Sequence, residues 1–543
     1  MTKLKGLART MSVLAKINND SAVPILVDCL DASDDEVRRA ALKALLHRRT
    51  SSGHRQLLER WDELDSGEKE IIADYPSRFA STIRETIVSE ENDLSDFAFE
   101  AVVYVREYDL LPALVSACEK SNHPHHDTAT QSLLLLSEML QQELSGPRNY
   151  KRQTNPRRTR KNIIGVLEAS IQRYSRHNCA EILKAFLLLA GRENSILKHI
   201  LQSRKHDAHN PMVEWLGDST RSGVLRLLAS YLEDADIPAV ILKIISQRSD
   251  LELLHQVCNR FSANISNTAK RNLSKIDSLA WLSNFDIINF LDEQQQSTII
   301  SISQASGVSP LKTFGLIKHV VRFGKPIARK TAASRLIDFQ GSETNKLIEE
   351  MLNDSSPEVV AIALKQLRRR GIPGAVAILI ERLDSVEPLI REAALSQLSE
   401  FNIKRFLTAF DLLDYDVQRS TGALVKQIDE NTIPQLEIEF QAQTRLQTIR
   451  AIEVVAALDV VGHFENTILQ FIYDEDYFIR SAAVRALGRG ESLASAQTIS
   501  ELQQDPNAAV REAANQAEEE RNNGPYPMDQ NLLTQAETKS ASE

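Results

Sequence analysis

Seven basic side chains and no acidic ones lie in the 14 residues between Arg148 and Lys161. This contrasts with the chain as a whole, whose formal net charge is −10 at pH 7. Cations at this density attract anions, so the segment is a candidate binding site for an acidic protein or for nucleic acid. A solvated insertion between helices is the alternative interpretation. The basic residues are Arg148, Lys151, Arg152, Arg157, Arg158, Arg160 and Lys161.

A proline lies inside this basic segment. Pro156 has the fixed φ that suits the first position of a helix. If a helix begins there, the four cations at 157–161 lie at its positive dipole end, where positive charge is slightly unfavourable. A locally unfavourable choice suggests that these side chains serve a partner.

One cluster contains metal-ligating residue types: His123-Pro124-His125-His126-Asp127. Zinc or nickel could bind histidines of this kind, but a second cluster at a defined spacing is missing. His126 and Asp127 can instead open the following helix. The sequence also lacks a GxxxxGK[ST] loop, a GxSxG elbow and a Rossmann glycine signature. We therefore expect no metal, no cofactor and no catalytic residue.

The elements that must position these side chains are short helices that recur at a regular spacing. In residues 327–521 one sequence motif recurs about every 31 residues: an aliphatic residue, a basic or polar residue, small residues and a leucine. We call it the alanine-arginine motif. Two short helices with two tight turns have this length. Alanine pairs such as Ala482-Ala483 allow close helix approach. The aliphatic anchors are Ile327, Val359, Ile390, Val417, Ile449, Ile479 and Val510.

A first helix is predicted before each anchor. Residues 22–31 and 375–384 align without a gap, and each segment contains a leucine near its end. Acidic residues just before the anchors are expected in the first turn of the second helix, where free N–H groups favour them. One helix pair cannot bury its apolar face alone, so the pairs must stack. These acidic residues are Glu36, Glu387, Asp416 and Asp476.

These residues resemble the short, alanine-rich HEAT-like repeats of phycobilin lyases and many bacterial adaptor proteins. The resemblance covers residues 1–49 and 327–521. It implies an all-α fold, a superhelical α-solenoid of stacked antiparallel helix pairs with the second helices on the concave side. In that family an acidic residue before the anchor and an arginine after it often form a ladder between repeats. The matching arginines are Arg38, Arg391, Arg480 and Arg511, whereas Val360 and Gln418 interrupt the ladder.

The chain is predicted to have five parts. Ser145-Gly146-Pro147 ends a helical run, and periodicity is lost after about residue 521. The parts are HEAT-like repeats at 1–145, a basic loop at 146–162, divergent helical repeats at 163–326, regular repeats at 327–521 and a disordered tail at 522–543.

The resemblance also suggests tests for activity. HEAT-like di-iron hydroxylases carry His-Glu pairs, and none of the 12 histidines here precedes a glutamate. No residue set identifies a chromophore site of the lyase type. HEAT-like DNA glycosylases grip the duplex with a basic surface, whereas this chain has 64 basic and 74 acidic residues.

Composition indicates the compartment. The aromatic content of 6% argues against stacking platforms for bases. Four cysteines lie far apart in the sequence and are interpreted as buried small residues in a reducing compartment. The sequence shows no signal-peptide core and no run of about 18 apolar residues, so we expect a cytoplasmic protein without membrane contact. The cysteines are Cys29, Cys118, Cys179 and Cys258.

The favoured hypothesis is a non-catalytic scaffold or adaptor. It would bind partner proteins along the solenoid surface and use the basic segment for an acidic partner. The alternative is a HEAT-like protein that binds nucleic acid through basic patches. A lyase-type enzyme is the least favoured hypothesis.

Overall fold

The computed structural model describes residues 2–17, 19–48, 50–89, 93–146, 155–441 and 444–523. Across these ranges the regular structure is entirely helical, with 33 α-helices and eight short 3-10 turns. The chain divides into two compact units, Met1–His319 and Val320–Glu543. None of the described helices is long and apolar enough to cross a membrane. The predicted all-α class is confirmed.

The first unit contains nineteen helices in the described residues, and a twentieth, α20 (Pro310–Phe323), crosses the unit boundary. The helices are α1 (Thr2–Lys16), α2 (Ala22–Asp28), α3 (Asp35–Arg48), α4 (Ser51–Glu59), α5 (Ser66–Ala73), α6 (Pro76–Val88), α7 (Ser95–Val105), α8 (Leu111–Cys118), α9 (His126–Ser145), α10 (Pro156–Ile171), α11 (Tyr174–His177), α12 (Ala180–Leu189), α13 (Ser195–Gln202), α14 (His209–Asp218), α15 (Ser222–Tyr231), α16 (Ala239–Gln247), α17 (Leu251–Phe261), α18 (Asn267–Leu273) and α19 (Glu293–Ala305).

These helices stack in two layers. The helices α1, α3, α5, α7, α9, α12, α15, α17 and α19 pack one against the next, and α2, α4, α6, α8 and α10 form a parallel series. The two layers continue through residues 163–305, although the alanine-arginine motif is missing there. Successive helix pairs therefore bury their apolar faces against each other even without that motif.

The second unit has the same construction. The second helix of each pair packs against the second helix of the next pair, first in the series α21, α23 and α25, and then in the series α27, α29, α31 and α33. The helices are α21 (Pro326–Arg335), α22 (Ser342–Met351), α23 (Pro357–Leu367), α24 (Ala375–Glu381), α25 (Pro388–Gln397), α26 (Ile403–Ala409), α27 (Tyr415–Ile428), α28 (Thr432–Glu439), α29 (Arg445–Ala457), α30 (Val461–Phe471), α31 (Tyr477–Leu487), α32 (Leu493–Leu502) and α33 (Ala508–Asn523). Each unit is thus an α-solenoid of stacked helix pairs, as predicted.

The predicted anchors lie near the start of the second helices. Val359 and Val510 are fully buried there. The first anchor is wrong by one position, because Ile327 is 48% exposed whereas Ala328 is fully buried. Since α21 begins at Pro326, Ala328 occupies the position that faces the neighbouring helices.

The first helices also follow the predicted alignment. Residues 22–31 and 375–384 each form a seven-residue α-helix that ends in a three-residue 3-10 turn. Two of the acidic residues lie at the N-cap position of the second helix instead of in its first turn. Glu387 is the N-cap of α25, and Asp476 is the N-cap of α31, where its carboxylate accepts the Phe478 N–H at 2.9 Å.

The boundary between the units falls within α20. The change from divergent to regular repeats at 326/327 concerns the sequence pattern and stays a prediction. Residues 522 and 523, predicted to belong to a disordered tail, are the last residues of α33. The remainder of that tail, 524–543, lies outside the described residues.

Candidate anion-binding site

The last residues of the basic segment are helical. The segment was predicted as a loop over 146–162, but α10 begins at Pro156 and takes up its last residues. The side chain of Asn155 caps this helix by accepting the Arg157 N–H at 3.1 Å. Four of the predicted cations therefore lie in the first two turns of α10, whereas Arg148, Lys151 and Arg152 lie outside the described residues.

The four described cations have different environments. Arg157, Arg158 and Lys161 are exposed, whereas Arg160 is half-buried. The guanidinium of Arg160 donates through Nε to the Leu189 carbonyl at 2.6 Å. Arg157 and Arg160 line a cleft, which we call the arginine cleft, and Arg158 and Lys161 do not. The first turns of α10 thus carry two cations that line the cleft and two that lie outside it.

The arginine cleft has a volume of about 490 Å³. It is formed by the end of α9, the start of α10, the turn between α12 and α13, and the helices α15 and α17. Leu144, Leu188 and Leu227 contribute apolar surface, and Gln141 and Ser230 contribute polar groups. Its charged side chains are five arginines and one glutamate: Arg157, Arg160, Arg192, Arg226, Arg260 and Glu193.

Two of the five arginines share one carboxylate. Arg192 donates to Glu233 at 3.0 Å, and Arg260 donates to the same oxygen. Burial would raise the pKa of Glu233, but the hydrogen bonds and charges of Arg260 and Arg192 outweigh it, and the net shift is downward. Arg192 also donates to the Ser230 carbonyl at 2.8 Å. These two cations are therefore held in place, and their shared carboxylate balances one of the two positive charges.

Arg226 has no such counterion. It is half-buried on α15 and donates to the Ser145 hydroxyl. In the part of the chain that the structure describes, no carboxylate lies within 4.0 Å of its guanidinium. Burial first, and then the charge of Arg160, lower the pKa of Arg226. The cleft thus contains a partly desolvated positive charge beside a second one.

Sequence reasoning missed three of the five cleft arginines, Arg192, Arg226 and Arg260. None lies in a basic run, so a search for local charge density does not find them. A periodic signal was present, because Arg160, Arg192, Arg226 and Arg260 follow each other at 32, 34 and 34 residues. That spacing is close to the length of one helix pair.

The predicted ladder arginines make two kinds of contact, and only one of them connects neighbouring repeats. Arg480 donates to both carboxylate oxygens of Asp505 in the next repeat, at 3.0 and 3.1 Å. Arg38 similarly reaches Glu68 on α5, at 3.1 Å. Arg391 and Arg511 bind backbone carbonyls in the turn before their own helix.

A further ladder residue was not predicted. Arg329 donates to both oxygens of Asp354 at 2.8 Å and to the Gly324 carbonyl at 2.9 Å. It follows Ala328 as Arg480 follows Ile479, so it belongs to the shifted anchor. At the two departing positions, Val360 is a buried apolar side chain and Gln418 donates to the Phe410 carbonyl.

The histidine cluster makes ordinary structural contacts. His125 Nδ1 lies 2.9 Å from Asp96, and His126 Nε2 lies 3.2 Å from the Cys118 carbonyl. His126 is the first residue of α9, as the helix-opening interpretation expected. The described residues include no group of three or more His, Cys, Asp or Glu side chains arranged to hold a metal ion.

The four cysteines are free thiols, and three of them are buried. Cys118 and Cys179 are distant in the sequence, but their thiols interact in the fold. The hydrogen bond from Cys118 lowers the pKa of Cys179 to about 7 and raises the pKa of Cys118.

A second cleft, of about 910 Å³, lies on α5, α7 and α9. We call it the acidic cleft, because Glu70, Asp96 and Glu100 line it together with a single arginine, Arg106. Apolar side chains such as Leu135 complete its lining. Residues 128–139 of α9 contribute to the acidic cleft, and residues 141 and 144 of the same helix contribute to the arginine cleft.

Comparison with known proteins identifies the repeat. Residues 315–399 match the family model described as HEAT repeats. No curated protein matches the sequence.

Solved helical-repeat structures resemble the chain at low identity. A chain from a study of cadherin and β-catenin has 13% identity and a TM-score of 0.31, with 93% of this chain and 99% of that chain covered. Kap95p from a structure concerning RanGDP has 11% identity and a TM-score of 0.30, with coverage of 95% and 86%. Importin beta has 10% identity and a TM-score of 0.25, with coverage of 96% and 82%. Similarity at this level carries no conclusion about partners.

Proposed function

We propose that this HEAT-repeat protein is a non-catalytic scaffold whose arginine cleft docks an acidic segment of a partner protein. The observation that carries the proposal is the meeting of five arginines, from three helices and one turn, at one cleft. Arginines rarely gather in this way without an anion, because each desolvated cation costs free energy. The four free thiols support a reducing compartment such as the cytoplasm.

The charges inside the cleft indicate how such a partner would bind. Glu233 accepts hydrogen bonds from Arg192 and Arg260, so the positions of these two guanidinium groups are fixed. Arg157 and Arg226 line the cleft without an ion pair to any described carboxylate, and Arg160 makes only a long ion pair, to Glu193 at 4.0 Å. A carboxylate or a phosphate entering the cleft would meet guanidinium groups that suit planar, bidentate hydrogen bonding.

The proposal is tested by affinity capture from the native cell with three forms of the protein. These are the parent, the cleft variant Arg157→Ser/Arg226→Ser, and the control variant Arg158→Ser/Lys161→Ser. The control removes the same charge from the same region but leaves the cleft intact. We expect the parent and the control to capture the same acidic protein, and this binding to survive nuclease treatment. The cleft variant should not capture that protein.

Other outcomes would reject the proposal. Equal capture by all three forms would show that the cleft does not bind the partner. Binding that disappears on nuclease treatment would support the alternative, a nucleic-acid-binding protein that uses the exposed cations Arg158 and Lys161 as well as the cleft. Circular dichroism melting of each variant separates loss of binding from loss of folding.

A further inference from the structure

We infer that the arginine cleft recognises a phosphorylated serine or threonine side chain in a segment of the partner protein. This inference rests on the proposed function, because it specifies which anion the cleft takes. It follows from the number of guanidinium groups left over, from the burial of Arg226 and from what surrounds the cleft.

The count of unpaired donors exceeds what one carboxylate can use. Glu233 already serves Arg192 and Arg260, and the closest described carboxylate to Arg160 is Glu193, at 4.0 Å. A carboxylate carries one negative charge, so when two guanidinium groups share it, as Arg192 and Arg260 share Glu233, one positive charge stays unbalanced. A phosphate monoester carries a charge of about −1.5 to −2 and three acceptor oxygens, so it can accept from two or three arginines at once.

The position of Arg226 also favours a dianion. Its guanidinium is half-buried beside Arg160, and among the described side chains it donates to the Ser145 hydroxyl alone. Two cations that face each other in a partly desolvated cleft repel more strongly than they would in water. A doubly charged group between them would neutralise both, whereas a carboxylate would leave one positive charge unbalanced.

The surroundings favour a phosphorylated protein over a nucleotide or a nucleic acid. No aromatic side chain is among the described residues that line the cleft, so a base would find no stacking surface. On the other side of α9, the acidic cleft presents Glu70, Asp96 and Glu100, which would repel a chain of backbone phosphates. A peptide with a single phosphate avoids both problems.

The test uses labelled peptide libraries and fluorescence anisotropy. One library has phosphoserine at its centre and random flanking residues, and two matched libraries have serine or aspartate at that position. We expect the phosphoserine library to bind roughly tenfold or more tightly than either control library, because only phosphate can engage several guanidinium groups. Inorganic phosphate at millimolar concentration should compete with the bound phosphopeptide.

Variants locate the binding in the cleft. Arg226→Ala and Arg226→Lys should each weaken phosphopeptide binding by roughly tenfold, because lysine keeps the charge but not the planar fork of donors. Arg157→Ala changes an exposed side chain that lines the cleft, so it should fold normally and still weaken binding. Arg158→Ala lies one residue away, outside the cleft, and should bind as the parent does.

Each contrary result has a distinct meaning. If the aspartate library binds as tightly as the phosphoserine library, the inference of a phosphate site is wrong and the proposed acidic partner remains. If no library binds, or if Arg157→Ala and Arg226→Ala bind as the parent does, both the inference and the proposed function fail. If a single-stranded oligonucleotide displaces the phosphopeptide at a lower concentration than the unlabelled phosphopeptide does, the site is one for nucleic acid.

Discussion

Arg480 on α31 donates two hydrogen bonds to Asp505 in the following repeat, from Nε at 3.0 Å and from Nη2 at 3.1 Å. Both side chains are largely buried, with exposed fractions of 15% and 6%. The same arginine donates to the carbonyls of Asp474 and Glu475 in its own repeat. One side chain thus joins a turn of one helix pair to a turn of the next.

This contact predicts a difference between two matched arginines. Arg480→Ala leaves the Asp505 carboxylate buried without its partner, which should cost about 3 kcal/mol of unfolding free energy. Arg391→Ala removes only hydrogen bonds to the carbonyls of Ser385 and Val386 and should cost about 1 kcal/mol. Urea denaturation of both variants checks this, and equal costs would show that the link between repeats adds nothing.

The same contact predicts a pH dependence. Burial would raise the pKa of Asp505, but the hydrogen bonds of Arg480 and the Asn507 N–H outweigh it, so the pKa lies below its usual value of 3.8. A carboxyl whose folded pKa is depressed stabilises the fold above its unfolded pKa, and this stability is lost as pH falls through the folded pKa. The parent should therefore lose more stability than Asp505→Asn between pH 5 and pH 3. Denaturation curves that fall in parallel for the two proteins would contradict this assignment.

A buried charge should unfold the repeats around it while distant repeats remain folded. Ala483 on α31 is fully buried, so Ala483→Asp should destabilise the neighbouring repeats by several kcal/mol. Stability in stacked repeats is mainly local, and hydrogen exchange near Leu45 should stay slow. The control Ala509→Asp places the same charge at an exposed position in the first turn of α33 and should be tolerated. Loss of protection in both units at once would mean that the chain unfolds as one cooperative body.

Two helical glycines should respond oppositely to alanine. A Cβ on Gly422 of α27 would lie 2.5 Å from the Ala457 carbonyl oxygen, so Gly422→Ala must push α27 away from α29. We expect a loss of about 1–3 kcal/mol. Gly462 of α30 has no atom within 4 Å of such a Cβ, and Gly462→Ala should stabilise the helix by up to about 1 kcal/mol. Thermal melting distinguishes the two, and a stable Gly422→Ala would show that these helices are not in close contact.

Serine substitutions at the start of α10 should change the stability of the fold by amounts that depend on how buried each arginine is. Arg157→Ser and Arg158→Ser change exposed side chains and should leave the melting temperature nearly unchanged. Arg160→Ser removes the donor to the Leu189 carbonyl and should cost about 1 kcal/mol. A large loss of stability in Arg157→Ser would show that this cation is structural.

The fold could be predicted because stacking repeats the same packing problem in every helix pair. Small residues and leucines must recur wherever one pair meets the next, so the period is visible in the sequence. The choice between Ile327 and Ala328 was missed because both residues fit an apolar pattern, although Arg329 follows Ala328 as the ladder arginines follow their anchors.

The candidate site was less accessible to sequence reasoning. Arg157 and Arg160 were found because they belong to a dense basic run. Arg192, Arg226 and Arg260 come from other helix pairs and meet these two only through stacking. Even their regular spacing does not reveal that two of them share the Glu233 carboxylate, while Arg226 lacks a carboxylate among the described residues.

The central claim, that the arginine cleft docks an anionic partner, is tested most directly by the salt dependence of binding. The affinity of the captured partner is measured between 50 and 300 mM NaCl for the parent, for Arg157→Ser/Arg226→Ser and for Arg158→Ser/Lys161→Ser. Because screening acts on each charge pair that forms, we expect a flatter salt dependence and weaker binding for the cleft variant alone. If the cleft variant binds as tightly as the parent at low salt and with the same slope, the cleft is not the docking site.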